Sequence, residues 1–249
     1  MKEEKIQLEY ISNGKLYNNE KAIISITSWK GRIDKVSKTL FSLLKNCPGF
    51  HIVLVLSEEE FKTKEQELPE DLLLLIETKQ IELLWIYNNF KSFKKVLFTM
   101  DKYKDVPVIS ADDDCLYTCN YAEILYQKWL NNPECIITYR SSRDNICLSP
   151  WGPGTLHPPG FYNLSEALKI IFYCLRLGHS HDDVFYGFYA SMKKKSIKTV
   201  PIKNMCIFLG SRTDYFKSSL SLVRINHRIN HGKLMQKAFK TCLNVTIRG

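Results

Sequence analysis

A chain of 249 residues with 45% apolar and 24% charged side chains can bury a full core, which excludes an intrinsically disordered segment. Its longest apolar runs, Ile52 to Leu56 and Leu72 to Ile76, are far too short to cross a bilayer, and the charged opening Met1 to Tyr10 has no signal-peptide stretch, so a soluble cytoplasmic protein is expected. The net charge of +9 is concentrated at one end: from Lys193 to Gly249 thirteen Lys or Arg stand against the single acid Asp214. That basic segment suits a polyphosphate, a nucleic acid or an anionic membrane surface; its plainer reading is a solvated face. Eight cysteines without paired CxxC spacing read as reduced thiols, and Cys115 and Cys119 as packing residues.

In chain order, Ala22 to Thr27 predicts a buried strand, Asp34 to Lys45 an amphipathic helix and Ile52 to Leu56 a second strand. Glu67 to Thr78 (helix), Ile81 to Ile86 (strand), Ser92 to Tyr103 (helix) and Val106 to Ala111 (strand) continue the alternation. Tyr121 to Leu130 predicts a helix and Cys135 to Tyr139 a strand, after which the proline- and glycine-rich Ser149 to Asn163 reads as a shaped loop. Leu164 to Leu175 and Val184 to Lys195 predict helices and Ile197 to Pro201 a short strand. Such alternation implies an α/β, Rossmann-like, doubly wound and mostly parallel sheet with helices on both faces, whose ligands bind beyond the carboxyl ends of the strands. The expected organisation is one domain over residues 1–192 with residues 193–249 as a basic extension packed on it.

Asp112, Asp113 and Asp114, following Val106 to Ala111, carry the strongest chemical signal. Adjacent carboxylates raise one another's proton affinity unless a cation or a hydrogen-bonded turn offsets the field. Read as extended chain, the triplet puts Asp112 and Asp114 on one side and Asp113 on the other. Two oxygen ligands on one side suit magnesium or manganese, which keep positions open for water and phosphate. The plainer reading is an acidic turn capping a helix that starts near Thr118.

Past the first strand, Thr27, Ser28, Trp29 and Arg32 offer small hydroxyls, a ring for stacking on a base and a guanidinium for phosphate. Ser92, Lys94 and Lys95 open a helix and suit an anion. In HSHDD, Asp182 and Asp183 precede a helical pattern; they read as a cap, and a carboxylate fixed there is also oriented to take a proton from an attacking hydroxyl. His227 and His231 are spaced i, i+4 on a predicted helix, with a surface role or one ligand of a metal site as the two readings.

The ordered series ITSWKGR, SFKK, SADDDCLY, WGPGTLHPPG, HDDVF and INHGK resembles bacterial glycosyltransferases of the GT-A fold that build surface polysaccharides, over most of the chain. The resemblance implies a nucleotide-sugar donor, a UDP-sugar, seated on Thr27, Ser28, Trp29, Arg32 and Lys95. It implies a DxD-type site in which Asp114 binds Mn2+ or Mg2+ directly, Asp112 joins it as a ligand, and Asp112 or Asp113 faces the ribose. It also implies Asp183, or Asp182, as the acceptor-side carboxylate, the Trp151 to Gly160 loop as the wall of the acceptor pocket, and His231 as a further metal ligand. The implied acceptor is a glycan or lipid-linked hydroxyl, with peripheral contact to an anionic membrane on its inner face and no nucleic acid as partner.

Two other functions fit parts of the chain. A sugar nucleotidyltransferase needs a glycine-rich basic loop after the first strand, where only Gly31 stands. A nucleic-acid-binding module needs aromatics among its basic residues, and the C-terminal segment offers few beyond Tyr215 and Phe216.

Overall fold

The computed structural model describes residues 10–144, 146–209 and 230–247. In chain order, β1 (Ile11–Gly14) and β2 (Ile23–Thr27) precede α1 (Ile33–Asn46), and β3 (His51–Ser57), α2 (Glu70–Glu77), β4 (Glu82–Ile86) and α3 (Lys94–Lys102) follow before β5 (Val108–Ala111). Next come β6 (Cys115–Tyr117), α4 (Tyr121–Leu130), β7 (Ile136–Thr138), the hairpin of β8 (Ser141–Asp144) and β9 (Cys147–Pro150), and β10 (Thr155–His157). Helices α5 (Leu164–Arg176) and α6 (Asp182–Met192), strands β11 (Ile197–Thr199) and β12 (Cys206–Phe208), and α7 (His231–Leu243) complete the described chain.

Eight strands form one sheet in the order β1-β4-β3-β2-β5-β10-β7-β11. β4, β3, β2 and β5 run parallel, β1 and β10 run against them, and β7 and β11 return to the parallel direction. The central strands are continuous apolar runs because both of their faces are covered. Ile23, Val53, Val55, Leu84 and Ile86 face a core closed by α3, α5, α6 and α7. Ile24, Ile26, Leu54, Leu56, Leu83 and Trp85 face a second core closed by α1, α2 and α4. The sheet is therefore doubly wound and mostly parallel, as the alternation predicted.

Three expectations are corrected. The span Ser149 to Asn163 is not loop throughout: Thr155–His157 forms β10, inserted antiparallel between β5 and β7. Three residues flanked by glycine and prolines carry too little periodicity to announce a strand. The aspartate triplet is not extended, since β5 ends at Ala111 and Asp113 and Asp114 lie in the turn to β6. No helix starts near Thr118; α4 starts at Tyr121, with the Asn120 side chain accepting from the Glu123 N–H.

The amino ends of β3 and β4 are tied by a buried acid. Glu82 accepts from Ser12 Oγ (2.7 Å), Lys102 Nζ (2.5 Å) and Tyr103 Oη (2.6 Å), and its other contact is His51 Nε2 at 2.6 Å. Burial alone would raise its carboxyl, but these bonds outweigh burial and push it down to about 2. A depressed folded value means stability that is present above the ordinary carboxylate range and lost as pH falls through about 2. Glu82→Gln is expected to cost roughly 3 kcal/mol at pH 7, and less in acid, as read by urea denaturation at pH 7 and pH 3.

Candidate active site at the carboxyl ends of β2 and β5

β2 and β5 are paired in parallel with Ile26 opposite Ala111, so the residues just beyond each strand emerge side by side. Ser28 Oγ donates to Asp113 Oδ2 (2.6 Å). Arg32, at the start of α1, donates from Nη1 to Asp114 Oδ2 (2.6 Å) and holds Nη2 3.1 Å from Asp113 Oδ1. Thr39, in the second turn of α1, donates to the Asp113 carbonyl (3.0 Å). Asp113 is thus buried with both carboxylate oxygens engaged. Trp29 is half-buried and folds its ring over Gly31, where any Cβ would collide with it. Thr27 turns its hydroxyl to the Val55 carbonyl (2.7 Å).

Asp112 belongs to a different cation. Its Oδ1 is bonded by Lys95 Nζ, which reaches from the first turn of α3 and lies 3.5 Å from Asp182 Oδ2. The loop Gly152–Gly154 closes this group from above. A Cβ at Gly152 would stand 3.0 Å from Asp183 Oδ1 and 3.4 Å from both Asp112 Oδ1 and Lys95 Nζ. The Gly152 backbone also favours the ionised form of the Asp183 carboxylate, against burial. Ser110 on β5 donates to the Gly152 carbonyl, while Tyr117 on β6 accepts from the Asp112 N–H (2.9 Å) and donates to the Pro153 carbonyl (2.8 Å). Arg140 stacks on Trp151, 4.6 Å from the ring centre. Gly152, Ser110 and Tyr117 are absent from the residues the sequence singled out as site candidates. The sequence shows them only as members of longer stretches, Gly152 in WGPGTLHPPG and Ser110 and Tyr117 at the two ends of SADDDCLY.

Five carboxylates therefore meet two cations, Arg32 and Lys95. Burial raises the Asp113 carboxyl to about 6 against the pull of Arg32. Burial also raises Asp112, opposed by Lys95, and raises Asp183 well above the ordinary carboxylate range, helped by Asp182. Lys95, despite burial, is held charged by Asp112, Asp182 and Asp183. The uncompensated negative charge is the field a divalent cation would neutralise.

The donor set fits such an ion through two residues. Asp112 Oδ1 and Asp114 Oδ2 are tied to Lys95 and Arg32, while among the described residues Asp114 Oδ1 meets only the weak thiol donor of Cys115 at 3.8 Å. No group of three or more His, Cys, Asp or Glu among the described residues is arranged to hold a metal. Magnesium or manganese held by one or two carboxylates completes its shell with water and phosphate.

His231 packs on the stretch that leads into Asp182: its Nδ1 is 2.8 Å from His179 Nδ1 and its ring 5.0 Å from that of His181. It opens α7, whose Asn230 cap accepts from the Lys233 N–H. His227 lies outside the described residues. Ser92 and Lys94 are not available to an anion, since Ser92 donates to the Ser180 carbonyl (2.6 Å) and Lys94 is buried against Asn89 Oδ1 and the Lys91 carbonyl. Burial pushes the Lys94 amine down to about 8. No helix among the described residues is long and apolar enough to cross a membrane.

No family model matches the chain, and no curated protein matches it in sequence. Among solved structures, the mannosyltransferase PcManGT from Pyrobaculum calidifontis, in complex with GDP-Man and Mn2+, is similar. It shares 10% identity at a TM-score of 0.51, over 95% of this chain and 68% of that one. The likeness at this identity is one of fold: the chain folds as a glycosyltransferase does.

Proposed function

We propose that this protein is a metal-dependent glycosyltransferase that moves a sugar from a nucleoside-diphosphate donor, a UDP-sugar, to a hydroxyl of a glycan or lipid-linked acceptor in cell-surface polysaccharide synthesis. The observation that carries the reading is the excess of five carboxylates over two cations at the carboxyl ends of β2 and β5, in a fold of this kind. Asp114 and Asp112 hold Mn2+ or Mg2+, which when bound neutralises charge on the departing diphosphate. Asp113 acts as a strut for Ser28 and Arg32, which leaves Asp112 as the one to face the ribose. Thr27, Ser28, Trp29, Arg32 and Lys95 line the donor side, with the Trp29 ring as the stacking surface for the base.

Asp183 takes the proton from the acceptor hydroxyl. It is better suited than Asp182 because it lies against Gly152 in the loop that walls the acceptor pocket, whereas Asp182 faces Lys95. The basic segment after Lys193 lies against an anionic membrane on the cytoplasmic side, near a lipid-linked acceptor. His231, which α7 brings beside the start of HSHDD, is the further metal ligand.

The test is nucleoside-diphosphate release from a panel of nucleotide sugars with manganese, and with chelator. The reading expects release from at least one donor and its loss on chelation; no release from any donor with manganese present sinks it. Gly152→Ala is expected to lower kcat about tenfold, because the new methyl stands 3.0 Å from Asp183 Oδ1 and displaces it by tenths of an ångström. Steady-state kinetics check this, with the donor KM expected to hold.

A further inference from the structure

Behind the acidic pair lie polar atoms that the transfer reading leaves unused. Asp182 Oδ2, His157 Nε2 and Tyr186 Oη are each buried without a hydrogen-bond partner among the described residues. Lys95 Nζ, 3.5 Å from Asp182 Oδ2, attracts that oxygen without the alignment of a bond. Their residues are 8%, 1% and 2% exposed, so bulk solvent does not satisfy them.

The three belong to one cluster. Tyr186 is four residues after Asp182 on α6, and helical side chains lean toward the amino end, which tilts its hydroxyl toward the Asp182 carboxylate. The Tyr186 ring meets the His157 ring edge-on with 5.0 Å between centres. His157, on β10, also feels the charges of Lys95 and Asp182.

The donors and acceptors match. Burial holds the His157 imidazole neutral by pushing it down to about 3, so one ring nitrogen carries a hydrogen. Tyr162 Oη lies 2.9 Å from His157 Nδ1; with the hydroxyl donating there, the ring hydrogen sits on Nε2. Burial likewise keeps the Tyr186 hydroxyl protonated. Two orphaned donors thus accompany one orphaned carboxylate oxygen. Each such group costs about 1–3 kcal/mol when unmet, and buried water making about three bonds is how proteins meet them.

We infer that Asp182, Tyr186 and His157 share one buried water, and that this bridged set is the positioning device that fixes the acidic start of α6 for sugar transfer. The positioning role rests on the reading of Asp183 as the proton acceptor; the solvent site does not. Tyr186 and His157 are positioning residues, since they act through Asp182 rather than on the sugar.

The experiment uses the full chain with Tyr186→Phe, His157→Leu, His157→Gln and the double variant Tyr186→Phe/His157→Leu. A crystal structure is expected to show a water within about 3.2 Å of all three atoms in the unaltered protein and its loss or displacement in Tyr186→Phe. In kinetics, Tyr186→Phe and His157→Leu are each expected to lower kcat roughly tenfold at constant donor KM. His157→Gln, which restores an N–H donor, should stay within about threefold of the unaltered kcat. The double variant should be hardly worse than either single one, because both lose the same water. Direct bonds among the three atoms, additive losses, or an unchanged kcat in Tyr186→Phe overturn the inference. Should the water be present while the unaltered protein transfers no sugar, the positioning role falls together with the proposed function and the solvent site alone stands.

Discussion

Replacing Asp183 with asparagine is expected to lower kcat for sugar transfer by about 10²–10⁴-fold, the usual contribution of a positioned general base, while the donor KM changes little. Asparagine keeps the size and shape of the side chain against Gly152, so the loss isolates the proton-accepting role. The pH dependence follows from the same environment. Burial and the neighbouring Asp182 hold the Asp183 carboxyl protonated beyond the ordinary carboxylate range, against the pull of Lys95. A base works only when ionised, so kcat/KM should climb with pH through that raised value, and the climb should vanish in Asp183→Asn. Steady-state rates across pH 5 to 9 test both statements. An asparagine variant with unaltered kcat would remove Asp183 from the chemistry and return Asp182 as the candidate.

Lys95→Met has the largest expected effect on stability. The lysine is buried, bonded to Asp112 and 3.5 Å from Asp182 Oδ2, and among the described residues it is the cation paired with both acids. Methionine replaces most of the side-chain volume, so packing survives while the carboxylates lose their cation. Removing one partner of a buried pair costs roughly 3–5 kcal/mol. The sign with pH is set by the acids left behind: their ionised forms are the costly ones, and protonation relieves them. The variant should therefore be most destabilised at pH 8 and recover part of its deficit at pH 5, as read from urea midpoints. Manganese should also stabilise the variant more than the unaltered protein, because the metal then replaces the missing charge.

The fold was legible because the central strands announce themselves. IISIT, HIVLVLS and ELLWI are dominated by apolar residues, and the helices between them carry clear 3.6-residue periodicity. β10 escaped because TLH has neither length nor alternation, and it owes its place to partners on both sides. At the site, composition identified the acids and the cations but not their pairing. Alternation grouped Asp112 with Asp114, whereas the turn after Ala111 gives Asp113 and Asp114 to Arg32 and leaves Asp112 to Lys95. A turn obeys its own hydrogen bonds rather than the strand's two-residue period. Gly152 was hidden for another reason: its importance is the absence of a side chain where three charged groups converge, and that depends on tertiary placement. His231 likewise has a position, beside His179 and His181, that follows from how α7 packs on α5 and α6 and not from its spacing to His227.

The central claim is that a divalent cation on Asp112 and Asp114 grips the diphosphate of a nucleotide sugar, and its most direct measurement is the melting temperature of the full chain across a nucleotide-sugar panel with and without manganese. At a hundredfold excess over the dissociation constant a ligand of the folded state adds about 2.7 kcal/mol, a rise of about 5 °C or more for a chain of this size. At least one donor, with UDP-sugars first, is expected to give that rise only when manganese is present, and Asp114→Asn is expected to abolish it. A panel in which no donor moves the transition, or in which the rise is the same without metal and in Asp114→Asn, would contradict it.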